Sequence, residues 1–117
     1  MATLYGIKNC TTMKKAFAWL EGQGIAYEFH DYKKSGISRE LLAAWADQVG
    51  WQALLNTRGT TWRQLTPEQQ TEPNRDKALA LMAEKTSLIK RPVLDMAGKL
   101  LVGFDPEAYE KLFQEQP

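Results

Sequence analysis

Cys10, the one cysteine of the 117-residue chain, stands between a short apolar run, Thr3-Leu4-Tyr5-Gly6-Ile7, and a helical pattern that begins at Thr11. A thiol at a helix start faces unpaired backbone N–H groups and the positive end of the helix dipole, and both favour the thiolate. A free thiol has a pKa of ~8.5, so a thiol mostly ionised at neutral pH needs a drop of about two units, or roughly 2.7 kcal/mol. The dipole supplies about 0.3 to 1 kcal/mol, and ~2 in favourable buried geometry, so cations must supply the rest. Lys8, Lys14 and Lys15 are the local candidates, and Arg58 and Arg91 the distant ones. Arginine suits the task better, since its planar fork stays charged and can hold a thiolate, an oxyanion or a carboxylate. Lys14 and Lys15 read as solvated helix-face residues. A small buried hydrophobe is the alternative role for an unpaired cysteine; the strand-to-helix placement favours chemistry.

Composition removes other classes. With 15 Lys plus Arg against 14 Asp plus Glu, the net charge of +1 gives no broad attraction to nucleic acid or anionic membrane. Met1 to Gly6 lacks a signal-peptide pattern and no apolar run reaches the ~18 residues of a membrane span, so a cytoplasmic location is expected. One cysteine cannot close an internal disulfide, and Cys10 with His30 is too small a ligand set for a structural metal. His30 sits among Phe29, Asp31 and Tyr32 and reads as a structural histidine. Trp19, Trp45, Trp51 and Trp62 are read as core or insert packing, and Arg63 and Arg75 as solvated side chains.

The elements that position these groups follow from periodicity. Residues 3–7 read as a strand, 11–22 as a helix with Met13, Ala16, Phe17 and Leu20 inward and Gly22 and Gly24 as a stop, and 26–32 as a second strand running into a polar loop, Lys33 to Gly36. A crossover of this length makes those strands parallel. Ser38 caps a helix carrying Leu41, Leu42, Trp45 and Val49 and stopped by Gly50, and a short turn spans 51–55. Thr66-Pro67-Glu68-Gln69 is a capping box, and 74–85 is a helix with Leu79, Met82 and Ala83 inward. Val93-Leu94-Asp95 and Leu100-Leu101-Val102, flanking Met96 to Lys99, read as an antiparallel hairpin. Asp105-Pro106 opens a last helix with Ala108, Tyr109, Leu112 and Phe113 on one face. The sum is an α/β chain ordered β-α-β, helical insertion at about 37–88, β-β-α, read as a single domain over 1–117.

Tyr5 to Ala16, Leu54 to Thr60, Ile89 to Asp95 and Leu101-Val102-Gly103-Phe104 resemble the arsenate reductase ArsC/Spx family, in its YffB-like branch, in order and across essentially the whole chain. The resemblance implies a thioredoxin-like fold with a four-stranded mixed sheet and a nucleophilic cysteine served by glutathione as co-substrate, with no permanently bound cofactor. By it Cys10 matches the nucleophile, Arg58 the arginine after the insert, Arg91 the arginine before the proline, and Pro92 the cis-proline beside the site. Lys8, Asn9, Thr11, Thr12 and Pro92 are the expected contacts to substrate or glutathione, although helix capping explains Asn9 and Thr11 equally well. Two departures matter. Arsenate reductases of the family carry a further arginine where this chain has Val102-Gly103-Phe104, and Spx regulators often carry Cys-x-x-Cys where this chain has Met13. The expectation is therefore a glutathione-dependent thiol reductase acting on a small-molecule or protein thiol or disulfide, with an RNA polymerase-binding regulator and an arsenate reductase as rivals.

Overall fold

The structure, a computed structural model, describes residues 1–115. Its elements are β1 (Ala2–Gly6), α1 (Thr11–Gly22), β2 (Tyr27–Asp31), α2 (Tyr32–Ser35), α3 (Arg39–Val49), α4 (Trp51–Leu54), α5 (Thr60–Gln64), α6 (Pro67–Gln70), α7 (Arg75–Glu84), a 3-10 turn (Thr86–Leu88), β3 (Val93–Met96), β4 (Lys99–Val102) and α8 (Pro106–Gln114). They fall into two compact units, one formed by Met1–Tyr32 with the segment from Arg91 onward, the other by Lys33–Lys90.

The first unit is a four-stranded mixed sheet in the order β2-β1-β3-β4, with β1 parallel to β2 and antiparallel to β3. This is the thioredoxin-like architecture expected from the sequence. Period-two alternation sends Ala2, Leu4 and Gly6 of β1 to one face of the sheet. That face packs with the buried stripe Met13, Ala16 and Leu20 of α1, with Leu94, and with Tyr109 and Leu112 of α8. Each fully buried aliphatic side chain contributes about 1.5–3 kcal/mol. Phe17, Trp19 and Phe104 close the edges, Trp19 meeting the Tyr109 ring edge-on at 5.5 Å. The hairpin turns through two residues instead of four: Ala97 (φ 53) and Gly98 (φ 87) are both left-handed, and Asp95 Oδ1 accepts the Gly98 N–H at 2.9 Å. Two left-handed residues match the twist of the flanking strands, so pairing extends to Met96 and Lys99.

Gly6 is a packing requirement. A Cβ there would run into the Met13 side chain, which is wholly buried. Gly6→Val is expected to cost about 1–3 kcal/mol by overpacking. An equilibrium urea titration checks this, and an unchanged midpoint would contradict it.

The second unit is helical. Ser38 caps α3 by accepting the Leu41 N–H at 3.1 Å, Asn74 caps α7 by accepting the Lys77 N–H at 3.0 Å, and Thr66 and Gln69 complete the capping box of α6. Its core is Leu42, Trp45, Ala46, Leu54, Leu55, Leu65, Ala78, Leu79, Leu81, Met82, Leu88 and Ile89. Val49 and Ala83 are only half-buried, because helix phase turns Ala46 and Ala78 inward instead. The loop expected after β2 starts as the single helical turn α2, and the segment after Asn56 contains α5. Arg63 and Arg75 are structural, not merely solvated. Arg75 bridges Asp47 at 2.8 Å and the Ala43 carbonyl at 3.2 Å, tying α7 to α3, and Arg63 donates to the Arg58 carbonyl at 3.0 Å.

Candidate functional site

Strand register brings Cys10 and Arg91 together. Tyr5 near the end of β1 lies opposite Val93 at the start of β3, and the strands are antiparallel. The chain leaving β1 toward Cys10 and the chain entering β3 from Arg91 therefore meet at the same end of the sheet. The Arg91–Pro92 peptide is cis, as the resemblance implies, and the Pro92 carbonyl accepts the Gly103 N–H at 2.8 Å. Pro92 is buried, while Arg91 and Cys10 are half-buried and so reachable from solvent.

Cys10 takes the N-cap position of α1, with extended backbone (φ −142, ψ 130) and no regular side-chain capping bond. Burial pushes its pKa up, but the backbone N–H groups of Met13 and Thr12, and the Arg91 side chain through hydrogen bonding and charge, more than offset it. The thiol is thus pulled below the ordinary thiol value. The helix start and one cation act on a single sulfur, which is the arrangement that makes a cysteine nucleophilic at neutral pH.

The expected residues sort as follows. Thr12 takes part through its N–H; Met13 does the same and was not expected from the sequence, although any N-cap sulfur faces the N–H groups two and three residues on. Thr11 is exposed at the first helical position, Lys8 and Asn9 are exposed in the loop after β1, and Lys14 and Lys15 are exposed on α1. Arg91, not a lysine, is the cation that acts on the sulfur within this unit. Arg58 belongs to the other unit, where it is exposed, with its N–H bonded to Asn56 Oδ1 at 3.1 Å. His30 packs its ring against Tyr5 at 4.9 Å and Tyr32 at 5.9 Å, in line with a structural role.

Tyr32 is a further neighbour that sequence reasoning missed. Its hydroxyl is buried and has no hydrogen-bond partner among the described residues. Burial and then Tyr5 push its pKa up, against the opposing charge of Arg91, so it stays a neutral phenol. Arg91 therefore acts on two groups, Cys10 and Tyr32. The only hint in the sequence was the aromatic run that ends there. Phe104, in the stretch where arsenate reductases carry a further arginine, packs edge-on against Tyr109 at 4.9 Å.

Residues 5–112 match the ArsC family. The chain belongs to that family. Membership places it in a thiol-oxidoreductase family that also contains transcriptional regulators. It is similar in structure to a YffB protein, with a TM-score of 0.93, 50% identity, and 95% of this chain and 97% of the other covered. It is also similar to an arsenate reductase (ArsC) related protein of Brucella melitensis, with a TM-score of 0.76, 50% identity, and 97% and 94% covered. Among characterised relatives it is 27% identical over 109 residues to the global transcriptional regulator Spx of Streptococcus agalactiae, over 92% of this chain and 79% of that one. No helix among the described residues is long and apolar enough to cross a membrane.

Proposed function

We propose that this ArsC-family chain is a glutathione-dependent thiol oxidoreductase that works through Cys10 alone. The observation that carries the reading is the half-exposed Cys10 sulfur, stabilised as thiolate by the Thr12 and Met13 N–H groups and by Arg91. The Cys10 thiolate attacks one sulfur of a disulfide. A new S–S bond forms to Cys10, the old S–S bond breaks, and the leaving sulfur departs as thiolate with the electron pair. With oxidised glutathione this yields a Cys10–glutathione mixed disulfide and one reduced glutathione. The chain has no second cysteine, so a thiolate from another molecule must attack that mixed disulfide, releasing Cys10. Arg91 steadies the anionic sulfur, and Lys8, Asn9, Thr11, Thr12 and Pro92 are the proposed surroundings of the bound tripeptide. Glutathione is a co-substrate here and no resident cofactor is required. The chemistry suits the cytoplasm, where reduced glutathione is kept available.

Intact-mass measurement after exposure to oxidised glutathione tests this. A single glutathionyl adduct at Cys10, removed by reduced glutathione, is expected; a thiol that stays unmodified would refute it.

The similarity to Spx supports a second reading, an RNA polymerase-binding regulator. Met13 in place of a second cysteine deprives that reading of an internal disulfide switch. A polymerase complex that forms equally with Cys10→Ser would favour it. Arsenate reduction is the third reading; Phe104 packed against Tyr109, with no cation in Val102-Gly103-Phe104, counts against strong oxyanion binding.

A further inference from the structure

Within the helical unit lies a pocket of about 560 Å³, with Trp51, Leu55, Asn56, Arg58, Trp62 and Lys90 in its walls. The volume falls within the ~300–1,000 Å³ typical of small-molecule sites. Trp51 and Trp62 are half-buried on this pocket, not in the unit's core, because α4 and α5 are single turns that bury only one side.

The walls are fixed by hydrogen bonds from several directions. Asn56 N–H donates to the Leu88 carbonyl at 2.7 Å and Lys90 N–H to the Leu54 carbonyl at 2.8 Å, which clamps Lys90 beside the start of the Asn56–Gly59 loop. Asn56 Oδ1 holds the Arg58 N–H and the Arg63 guanidinium holds the Arg58 carbonyl, so the Arg58 backbone is pinned on both sides. Gln70 Nε2 donates to the Trp62 carbonyl at 2.7 Å, and the Thr61 hydroxyl bonds the Ser87 hydroxyl at 2.9 Å.

Charge then decides what such a pocket takes. The other arginines of this unit are occupied: Arg39 with Asp76, Arg75 with Asp47, and Arg63 with the Arg58 carbonyl. The side chains of Arg58 and Lys90 make no ion pair or hydrogen bond among the described residues, and no carboxylate lines the pocket. Two unpaired cations therefore share one cavity with two indoles.

We infer that this pocket binds a small organic carboxylate whose anionic end lies on Arg58 and Lys90 and whose flat apolar body lies against Trp51 and Trp62. The guanidinium fork and the ammonium together suit one carboxylate, and the indole faces suit an aromatic ring. Two cations beside the apolar surface of Trp51, Leu55, Trp62 and Pro73 favour a single acid on an apolar body over a highly charged phosphate ester. The inference does not depend on the thiol chemistry, because none of these walls includes Cys10.

The test uses full-length Cys10→Ser protein, nitrogen-labelled, titrated with phenylbutyrate while the indole N–H resonances of its 4 tryptophans are followed. Trp51→Phe and Trp62→Phe assign the two pocket signals by their loss. The Trp51 and Trp62 resonances are expected to shift saturably while those of Trp19 and Trp45 stay in place. The uncharged amide, phenylbutyramide, is expected to bind roughly tenfold more weakly, and Lys90→Gln to weaken phenylbutyrate roughly threefold to fivefold. Equal binding of acid and amide, shifts centred on Trp19 or Trp45, or no saturable shift up to millimolar acid would each overturn the inference. The acid-versus-amide comparison needs no pocket variant, so it remains decisive even where a substitution unfolds the chain.

Discussion

Cys10→Ser abolishes formation of the glutathione mixed disulfide while leaving the fold at least as stable. The first half follows from there being a single sulfur that can exchange, since the chain has no other cysteine to substitute for it. The second half follows from position. Residue 10 has the extended backbone of an N-cap and makes no regular capping bond, and serine is among the preferred residues there. A serine hydroxyl can accept the N–H groups at Thr12 or Met13, adding up to about 1 kcal/mol of helix stability. Loss of the adduct together with an equal or higher Tm is therefore expected. A variant that still gains one glutathionyl group, or that loses activity only by unfolding, would contradict this account.

Arg91→Gln is the second large effect, and its sign depends on pH. Removing the cation takes away a charge-assisted hydrogen bond at a half-exposed site, about 1 kcal/mol after allowance for solvent screening. By the linkage of 1.36 kcal/mol per pKa unit, this raises the Cys10 pKa and leaves up to about fivefold less thiolate below the pKa. Nucleophilicity rises with pKa, with a slope of about 0.4–0.5, and offsets part of that loss. With iodoacetamide, an uncharged reagent, alkylation is expected to slow roughly twofold to threefold at neutral pH. The advantage of a lowered pKa exists only below the free thiol value. Well above the free thiol value both proteins are thiolate, and the variant should match or slightly exceed the wild type. With oxidised glutathione, which is anionic, the loss at neutral pH should grow to roughly tenfold. Equal rates across the whole pH range would show that Arg91 does not act on the sulfur.

Much of the fold was legible because local signals agree with it. Ser38, Thr66, Asn74 and Asp105 announce their helices as N-caps, and each makes the bond its type implies. What was not legible is held by tertiary contacts. The single turn α5 relies on Gln70 bonding the Trp62 carbonyl, and no period of 3.6 can show in five residues. The tight hairpin was hidden because Ala97, an unlikely residue at positive φ, carries no turn signal. At the site, the strand-to-helix junction gave Cys10 away. Its meeting with Arg91 depends on the Tyr5–Val93 register, a pairing between residues 88 positions apart in sequence that no local pattern encodes. Trp51 and Trp62 read as core or insert packing, and apolar type alone does not show which, because it does not say whether a one-turn helix has anything packed over it.

The central claim is that the helix start and Arg91 pull the Cys10 pKa below that of a free thiol. The most direct measurement is ultraviolet thiolate absorbance against pH, taken as the difference between wild type and Cys10→Ser. All 4 tyrosines are pushed above their ordinary pKa, which keeps phenolate absorbance out of the relevant range. The account predicts a single midpoint clearly below the ~8.5 of a free thiol, moving up in Arg91→Gln. A midpoint at or above the free-thiol value, unmoved by that substitution, would contradict it.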